Sequence, residues 1–172
     1  MSAAPRKGNA GPGFEEAKLL AFLDAIPARV AFFNPERRHL YANREYAEAI
    51  GMPAEEFIGK TLAEIFGEET YQQLKPFGDR ALAGESLEWE GWIRHPRLGN
   101  QYGRRIYRPH TRADGAIEGY FVLIRDQTDE RLRQEALDRE RRRLLDAIES
   151  FSEGFALWDA EDRLVMCNSR YR

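Results

Sequence analysis

The feature that most constrains this chain is an internal repeat, because its end resembles its beginning. Residues 19–46 read LLAFLDAIPARVAFFNPERRHLYANREY, and residues 144–172 read LLDAIESFSEGFALWDAEDRLVMCNSRYR. The aligned residues that return 125 positions later are Phe33-Asn34 as Trp158-Asp159, Asn43 as Asn168, and Tyr46 as Tyr171. A repeat at this distance indicates a duplicated domain rather than a solenoid.

The helical part of the repeat has a different spacing. The motif Leu-Asp-Ala-Ile at residues 23–26 returns at residues 145–148, which is 122 positions later. This predicts a longer helix–strand connection in the second copy. We therefore expect one whole module, a connector, and the truncated start of a second module over residues 151–172, in a fragment of a longer protein. Half a module cannot cover its own sheet, so we expect its apolar side chains Phe155, Leu157, Val165 and Met166 to be exposed.

Composition and charge narrow the class of protein. The formal net charge of −3 and the pI near 5.7 give no electrostatic basis for binding nucleic acid or an anionic membrane. Cys167 is the single cysteine, which excludes an intramolecular disulfide. Residues 1–13 are small, polar and rich in Gly and Pro, and we predict a disordered tail. No apolar run is long enough for a transmembrane helix, and we expect a cytoplasmic segment without membrane contact.

The first half of the chain reads as a helix, a hairpin and a run of short helices. An apolar stripe predicts a helix from Phe14 that ends at Pro27. Two short strands, over residues 28–33 and 39–42, follow as a hairpin. Four short helices are predicted between Asn43 and residue 83, with starts and stops marked by capping residues. Helices this short need tertiary packing to be stable.

The second half changes to the period of two that is typical of strands. Strands are predicted from Ser86, over residues 104–108, and over residues 119–125 after the turn Asp114-Gly115. An isolated hairpin is only marginally stable, so the five strands should join in one antiparallel sheet with the short helices on one face. The last strand is apolar on both faces, which predicts a central position covered on both sides. The fold class is thus α+β.

In this order the elements resemble a PAS domain, a sensory module common in bacterial signalling proteins. The resemblance lies in YANREYAEAIGMPAEEFIGKTLAEIF and in GYFVLIRD with Asp126-Gln127-Thr128. That tripeptide looks like the Asp-x-Thr with which many PAS domains pass their last strand into an output helix. The resemblance implies a PAS domain with an N-terminal flanking helix over residues 14–128, and signal coupling at Asp126, Gln127 and Thr128.

The connector over residues 129–150 is predicted to be a highly charged C-terminal helix. Its heptad d positions are apolar and seven residues apart: Leu137, Leu144 and Phe151. The matching a positions are mostly polar: Gln134, Arg141 and Ile148. Two interpretations stay open, a single solvated helix and a parallel coiled-coil signalling helix of a dimer. A weak seam would suit a switch between two packings of similar energy.

Any small-molecule site should lie in the cavity between the sheet and the short helices. Aromatic residues could line this cavity, and two arginines could pair with a carboxylate or phosphate. These candidates are Tyr41, Phe57, Tyr71, Trp89, Arg104, Arg105, Tyr107 and Tyr120. The alternative is a filled core with surface arginines, because aromatic side chains at strand spacing often serve packing alone.

The resemblance leaves the cofactor unknown but argues against flavin and haem. A flavin photoreceptor of this family needs a reactive Cys on the helix after the short helices, and the sequence has none there. A His commonly used for haem is also missing between Glu68 and Ala83. His39, His95 and His110 lack metal-ligand spacing, and we interpret them as surface or loop residues. No nucleophile–base set or phosphate loop is evident, so we expect no enzymatic activity and no bound metal.

Two functions follow from these observations. The first is a sensory or regulatory PAS module of a bacterial multi-domain protein, with a histidine kinase or nucleotide cyclase as the effector in the same polypeptide. It would detect a small ligand or mediate dimerisation, and pass the signal through its C-terminal helix. The alternative is a pure dimerisation module with a filled core, which associates through Leu19, Leu20, Phe22 and Leu23. Both predict a homodimer.

Overall fold

A computed structural model describes the backbone of residues 12–172 and the side chains of residues 17–172. Its elements in chain order are α1 (Pro12–Asp24), β1 (Arg29–Phe33), β2 (His39–Ala42), α2 (Arg44–Ile50), a 3-10 turn (Ala54–Glu56), α3 (Leu62–Phe66), α4 (Glu68–Leu82), β3 (Leu87–His95), β4 (Gly99–Thr111), β5 (Ile117–Asp126), α5 (Thr128–Glu149), β6 (Ala156–Trp158) and β7 (Leu164–Cys167). Most of the tail predicted over residues 1–13 lies outside the described residues.

The described chain divides into two compact units between Gln127 and Thr128. In the first unit, five antiparallel strands form one sheet in the order β2-β1-β5-β4-β3. The predicted α+β fold with a five-stranded antiparallel sheet is confirmed. No helix in the described part of the chain combines the length and apolar character needed to cross a membrane.

The core lies between the inner face of the sheet and helices α2 to α4. On β5, Val122 is paired on one side with Ala31 of β1 and on the other with Tyr107 of β4, which places β5 at the centre. Directly paired residues share a face of the sheet, so these three side chains point into the same core. All three are buried. The central position predicted for this strand is therefore correct, but Phe121 on its outer face is 39% exposed, so the expected cover on both sides is wrong.

Local capping signals fix the short helices. Asn43 has extended dihedral angles and accepts a hydrogen bond from the backbone of Tyr46, and Gly51 ends α2 in the left-handed conformation. Thr61 and Glu64 form a capping box at the start of α3. These bonds satisfy backbone groups that a helix of one or two turns leaves free at its ends. Such helices can then pack against the sheet without buried unpaired amides.

Asn43 is also the hub of the N-terminal half of this unit. Its Oδ1 accepts from the backbone N–H groups of Val30 at 2.9 Å and Tyr46 at 3.1 Å. Its Nδ2 donates to the carbonyl oxygens of Leu23 at 3.1 Å and Ala28 at 2.9 Å. The side chain is fully buried. One amide therefore joins the end of α1, the start of β1 and the first turn of α2.

The second unit repeats this asparagine hub atom for atom. Asn168 Oδ1 accepts from Phe155 N and Tyr171 N, and its Nδ2 donates to the carbonyl oxygens of Ile148 and Glu153. Each partner lies 125 residues after its counterpart in the first unit. The end of α5 is thus equivalent to the end of α1. The connection from α5 to β6 covers residues 150–155 and that from α1 to β1 residues 25–28, but the constant spacing of the hub partners shows that the difference comes from a later start of β6 and not from inserted residues. The Leu-Asp-Ala-Ile match is one helical turn out of structural register.

The rest of the second unit is a two-stranded antiparallel sheet of β6 and β7. Its turn also repeats the first unit, since Arg37 and Asp162 both have positive φ. Leu157, Trp158 and Val165 are exposed. The predicted exposure therefore holds for Leu157 and Val165, whereas Phe155 and Met166 are half-buried.

Candidate functional site

A cavity of about 60 Å³ lies in the first unit, between the inner face of the sheet and helices α2, α3 and α4. Most of its wall is apolar, and includes Ile50, Leu62, Phe66, Leu74, Ile93, Val122 and Ile124. The polar side chains that also line it are Arg29, Thr70, His95, Gln101 and Arg105, together with three tyrosines, Tyr46, Tyr107 and Tyr120. By the space that a water molecule needs, the cavity takes on the order of four to six small atoms. It is well below the several hundred Å³ of a typical drug-sized site.

Arg105 is the most buried charge in this site, with 5% of its surface exposed. Its Nη1 donates to the carbonyl oxygens of Gly103 at 3.1 Å and Gly91 at 3.4 Å. The guanidinium lies over the ring of Trp89, 4.9 Å from the ring centre. Burial lowers the pKa of Arg105. Among the described residues it forms no ion pair; the groups in contact with it are carbonyl dipoles and a π face, and the negative charge of Asp126 also acts on it.

Arg29 occupies the same row of the sheet and has an acidic partner. Both Arg29 and Arg105 are paired in register with Ile124, on opposite sides of β5. The Arg29 Nη2 lies 2.5 Å from Asp126 Oδ2 and donates to Gln101 Oε1 at 3.2 Å. Two guanidinium groups therefore line this end of the cavity, with one carboxylate paired to Arg29. These three groups leave an excess of one positive charge, to which the nearby Arg97 adds.

One ring nitrogen of His95 has no hydrogen-bond partner among the described residues. Its Nδ1 accepts from the backbone N–H groups of Arg97 at 3.2 Å and Leu98 at 3.1 Å. Nδ1 is thus the unprotonated nitrogen, and Nε2 carries the hydrogen. That Nε2 is buried and has no hydrogen-bond partner among the described residues. Burial and the nearby charges of Arg29, Arg97 and Arg105 lower the pKa of His95 to about 4, so the ring is neutral at physiological pH.

Two of the three histidines, His39 and His95, do not lie in the surface or loop positions predicted for them. His39 is fully buried on β2, with its Nδ1 2.8 Å from the Lys60 carbonyl oxygen and its Nε2 3.1 Å from the Tyr46 hydroxyl. Burial lowers the pKa of His39 to about 4. Only His110 is exposed as predicted. The error arose because neighbouring charged residues in the sequence do not reveal which face of a strand a side chain occupies.

The structure brings three of the eight predicted cavity residues to the cavity wall: Arg105, Tyr107 and Tyr120. Phe57 is buried in the core beside Tyr46, and Tyr71 packs against the core at its edge. The ring of Trp89 lies against the guanidinium of Arg105 and is tilted by 37° against the ring of Phe77. Tyr41 is paired with Phe32 on the outer face of the sheet. Arg104 is exposed and pairs with Glu88, because adjacent strand residues point to opposite faces.

Sequence reasoning missed Arg29, His95 and Gln101. The segment from Pro96 to Gly103 reads as a loop because of its Gly and Asn content. In the structure β4 already begins at Gly99, and Gln101 is paired with Ile93 of β3. Extending the period of two from Leu87 to His95 would have placed His95 on the inner face, whereas nothing local marks Arg29.

The predicted coupling residues lie at the end of β5 and the start of α5. Asp126 is the carboxylate paired with Arg29, so it adjoins the polar end of the cavity. The Gln127 N–H donates to the Tyr102 carbonyl oxygen at 3.0 Å, which holds the chain against β4. Thr128 is the first residue of α5. The role of these three residues in coupling stays a prediction.

Comparison with known proteins places this architecture. Residues 23–132, more than half of the chain, match the family described as PAS fold. The Non-motile and phage-resistance protein of Caulobacter vibrioides is 53% identical over 70 residues, which are 41% of this chain and 8% of that protein. The chain thus spans less than a tenth of the length of that relative.

Two solved structures share the fold at low sequence identity. A sensory box sensor histidine kinase from Vibrio cholerae is 22% identical with a TM-score of 0.52, over 66% of this chain and 94% of that one. VqmA from Vibrio cholerae, solved with ligand and DNA, is 20% identical with a TM-score of 0.57, over 66% of this chain and 52% of that one. Together with the family match, they identify this chain as a member of the PAS family, a sensory and regulatory signalling module.

Proposed function

We propose that this chain is the sensory part of a bacterial multi-domain signal transduction protein. The cavity of the first unit takes a small ligand, and α5 carries the response to an effector in the same polypeptide, a histidine kinase or a nucleotide cyclase. The segment itself is not an enzyme. The observation that carries the proposal is the position of Arg29, which lines the cavity and also pairs with Asp126.

The Arg29–Asp126 pair gives the cavity a physical route to the output helix. A ligand that attracts or repels Arg29 changes the charge balance at Asp126, which lies two residues before the start of α5. The pair is partly exposed, with 17% of the Arg29 side chain and 33% of the Asp126 side chain exposed, so solvent screens it less than a fully exposed pair. A small input can then bias the first turn of the helix.

The comparisons support the proposal at the level of the module. The histidine kinase from Vibrio cholerae carries this fold in a sensor protein, and VqmA carries it in a protein that was solved with a ligand and DNA. Both proteins are no more than 22% identical to this chain, so their ligands and partners are not assigned to it. They favour a sensory role while leaving the choice between kinase and cyclase to the effector.

The coupling is tested by replacing Asp126 with Asn, which removes the charge and preserves the shape. Glu118→Gln is the matched control, because Glu118 is an exposed carboxylate on the same strand that pairs with His110. Hydrogen exchange of the α5 amides is measured in the whole 172-residue chain. We expect D126N to change protection in the first turns of α5 and E118Q to leave it unchanged. Equal protection in D126N and the unsubstituted chain would remove the proposed route.

A dimerisation module without a ligand is the second candidate, and the exposed apolar side chains favour it. Leu19 and Phe22 of α1 are 58% and 66% exposed. On α5, Leu137 and Leu144 are 63% and 60% exposed at the d positions of the weak heptad seam. Surfaces of this kind are typical of helices with a partner, and we propose a homodimer for either function.

Sedimentation analysis distinguishes the two dimer surfaces. Phe22→Ser removes the largest exposed apolar side chain from α1, and Leu144→Ser removes one from the α5 seam. Dissociation by F22S alone would favour the dimerisation module built on the flanking helix. Dissociation by L144S alone would favour a signalling helix that is paired in the dimer. A chain that is monomeric at all accessible concentrations would contradict both assignments of a homodimer.

A further inference from the structure

We infer that the polar end of this cavity binds the carboxylate of a short-chain organic acid, through the guanidinium of Arg105 and the Nε2–H of His95. The inference names the ligand class for the sensory function proposed above and rests on it. Its first support is the charge of Arg105. A guanidinium that is 95% buried, by its 5% exposure, is normally paired with a carboxylate. Here the described residues supply only carbonyl oxygens and the ring of Trp89.

The second support is the direction of the free hydrogen-bonding groups. Nδ1 of His95 is occupied by two backbone donors, so its unpartnered Nε2 can only donate. Gln101 Oε1 already accepts from Arg29. The groups that Arg105 and His95 offer a ligand at this end are therefore N–H donors, and a carboxylate is an acceptor with two oxygens to offer them.

The third support is the excess positive charge. Asp126 neutralises Arg29 at 2.5 Å, and no described carboxylate forms an ion pair with Arg105. A ligand with a single negative charge would balance the two arginines and one aspartate that adjoin the site. A neutral ligand would leave the buried charge of Arg105 as it is, and a cation would be repelled by it.

The rest of the cavity sets the size and polarity of the acid. Beyond the polar end, the wall consists of side chains such as Phe66, Ile93 and Ile124, which suit an alkyl group. The volume of about 60 Å³ accommodates an acid with roughly two to four carbon atoms. Inorganic phosphate fits less well, because the apolar wall would desolvate its remaining oxygens without a donor.

The test uses the purified 172-residue chain and three acids of increasing chain length. Calorimetry measures binding of acetate, propionate and butyrate from about 1 µM to about 10 mM, which covers the affinities open to ligands of so few atoms. Propionamide serves as the neutral control for propionate, and inorganic phosphate and chloride serve as anion controls. We expect saturable binding of at least one acid, and no binding of propionamide or phosphate in the same range.

Two neighbouring arginines supply matched variants. Arg105→Gln removes the buried charge, and Arg104→Gln makes the same change one residue away on the exposed face. We expect R105Q to weaken binding of the acid by roughly tenfold or more, as for loss of a charge-assisted hydrogen bond, and R104Q to leave it unchanged. Circular dichroism establishes that each variant is folded, and the comparison of propionate with propionamide needs no variant.

Each outcome bears on the inference. No saturable binding of any acid, equal binding of propionamide, preferred binding of phosphate, or equal loss in R104Q and R105Q would overturn the carboxylate assignment. If no acid binds but D126N changes hydrogen exchange in α5, the ligand class is rejected and the sensory coupling stays in place. If an acid binds without changing hydrogen exchange in α5, and D126N does not change it either, the binding site stays in place and the coupling is rejected.

Discussion

Replacing Asn43 with Ala should be among the most destabilising single changes in the first unit. The amide makes four hydrogen bonds to backbone groups of three different elements, and it is fully buried. Alanine can replace none of these bonds. Residues Val30 and Ala28, whose backbone N–H and C=O lose their partner, are themselves 6% and 7% exposed, so water does not reach them readily.

The magnitude follows from these contacts. An unsatisfied buried backbone group costs about 1–3 kcal/mol, and loss of an N-cap costs about 1 kcal/mol. Two buried groups and one cap give a loss of about 3–7 kcal/mol in the free energy of unfolding. A domain of this size has about 5–15 kcal/mol in total. We therefore expect N43A to lose much of its stability and its melting temperature to fall by more than about 10 °C.

Urea unfolding followed by tryptophan fluorescence measures this change. Trp89 and Trp92 report on the first unit, and Trp158 reports on the second. Asn168→Ala is the matched control, since it removes the equivalent hub from the second unit and should leave the unfolding of the first unit in place. A loss below about 1 kcal/mol in N43A would refute the reasoning, because it would mean that water replaces the amide at no net cost.

Three further changes have defined outcomes. The pKa of His39 is about 4 in the folded protein and 6.5 in a free histidine. As the pH falls, the unfolded state therefore binds the proton first. The free energy of unfolding should fall by about 3 kcal/mol between pH 6.5 and pH 4. His39→Gln should remove this contribution in urea titrations at several pH values, while His95, whose pKa is also lowered to about 4, keeps a similar one. Gly119→Ala should cost more than about 2 kcal/mol, because a Cβ there would overlap the Phe33 carbonyl, whereas Gly115→Ala, with open space around it, should cost only about 1 kcal/mol of backbone strain. Thr61→Ala should cost about 1 kcal/mol through loss of the α3 cap, measurable by the urea midpoint.

Elements marked by local chemistry could be predicted from the sequence, and those that depend on pairing could not. Helix starts are marked by Asn43 and Thr61, whose side chains cap the backbone. The end of α2 is marked by Gly51, which adopts the left-handed conformation because it has no side chain. The first residues of β4 carry no such signal, since Gly99-Asn100 is typical of a loop and becomes a strand only by pairing with β3. Two of the missed polar residues of the cavity, His95 and Gln101, lie opposite or on this segment for that reason, whereas Arg29 lies on β1.

The two adjacent arginines show the same limit within one strand. Composition and spacing make Arg104 and Arg105 equal candidates for an anion site. The pleat of β4 sends one to solvent beside Glu88 and the other under Trp89 in the core. Which of them is buried depends on the register with β3 and β5, and a shift of one residue would exchange them.

The repeated asparagine hub has a consequence for the order of folding during synthesis. In the second unit the hub joins residues that are at most about twenty positions apart, and it forms there with only a helix and a hairpin. The equivalent segment of the first unit can therefore close on the ribosome soon after it emerges. Its strand β1 must then wait for β5, which pairs Ala31 with Val122 and is made about ninety residues later. During that interval β1 presents an open edge, so the nascent chain is most vulnerable to mispairing between the completion of the hub and the arrival of β5.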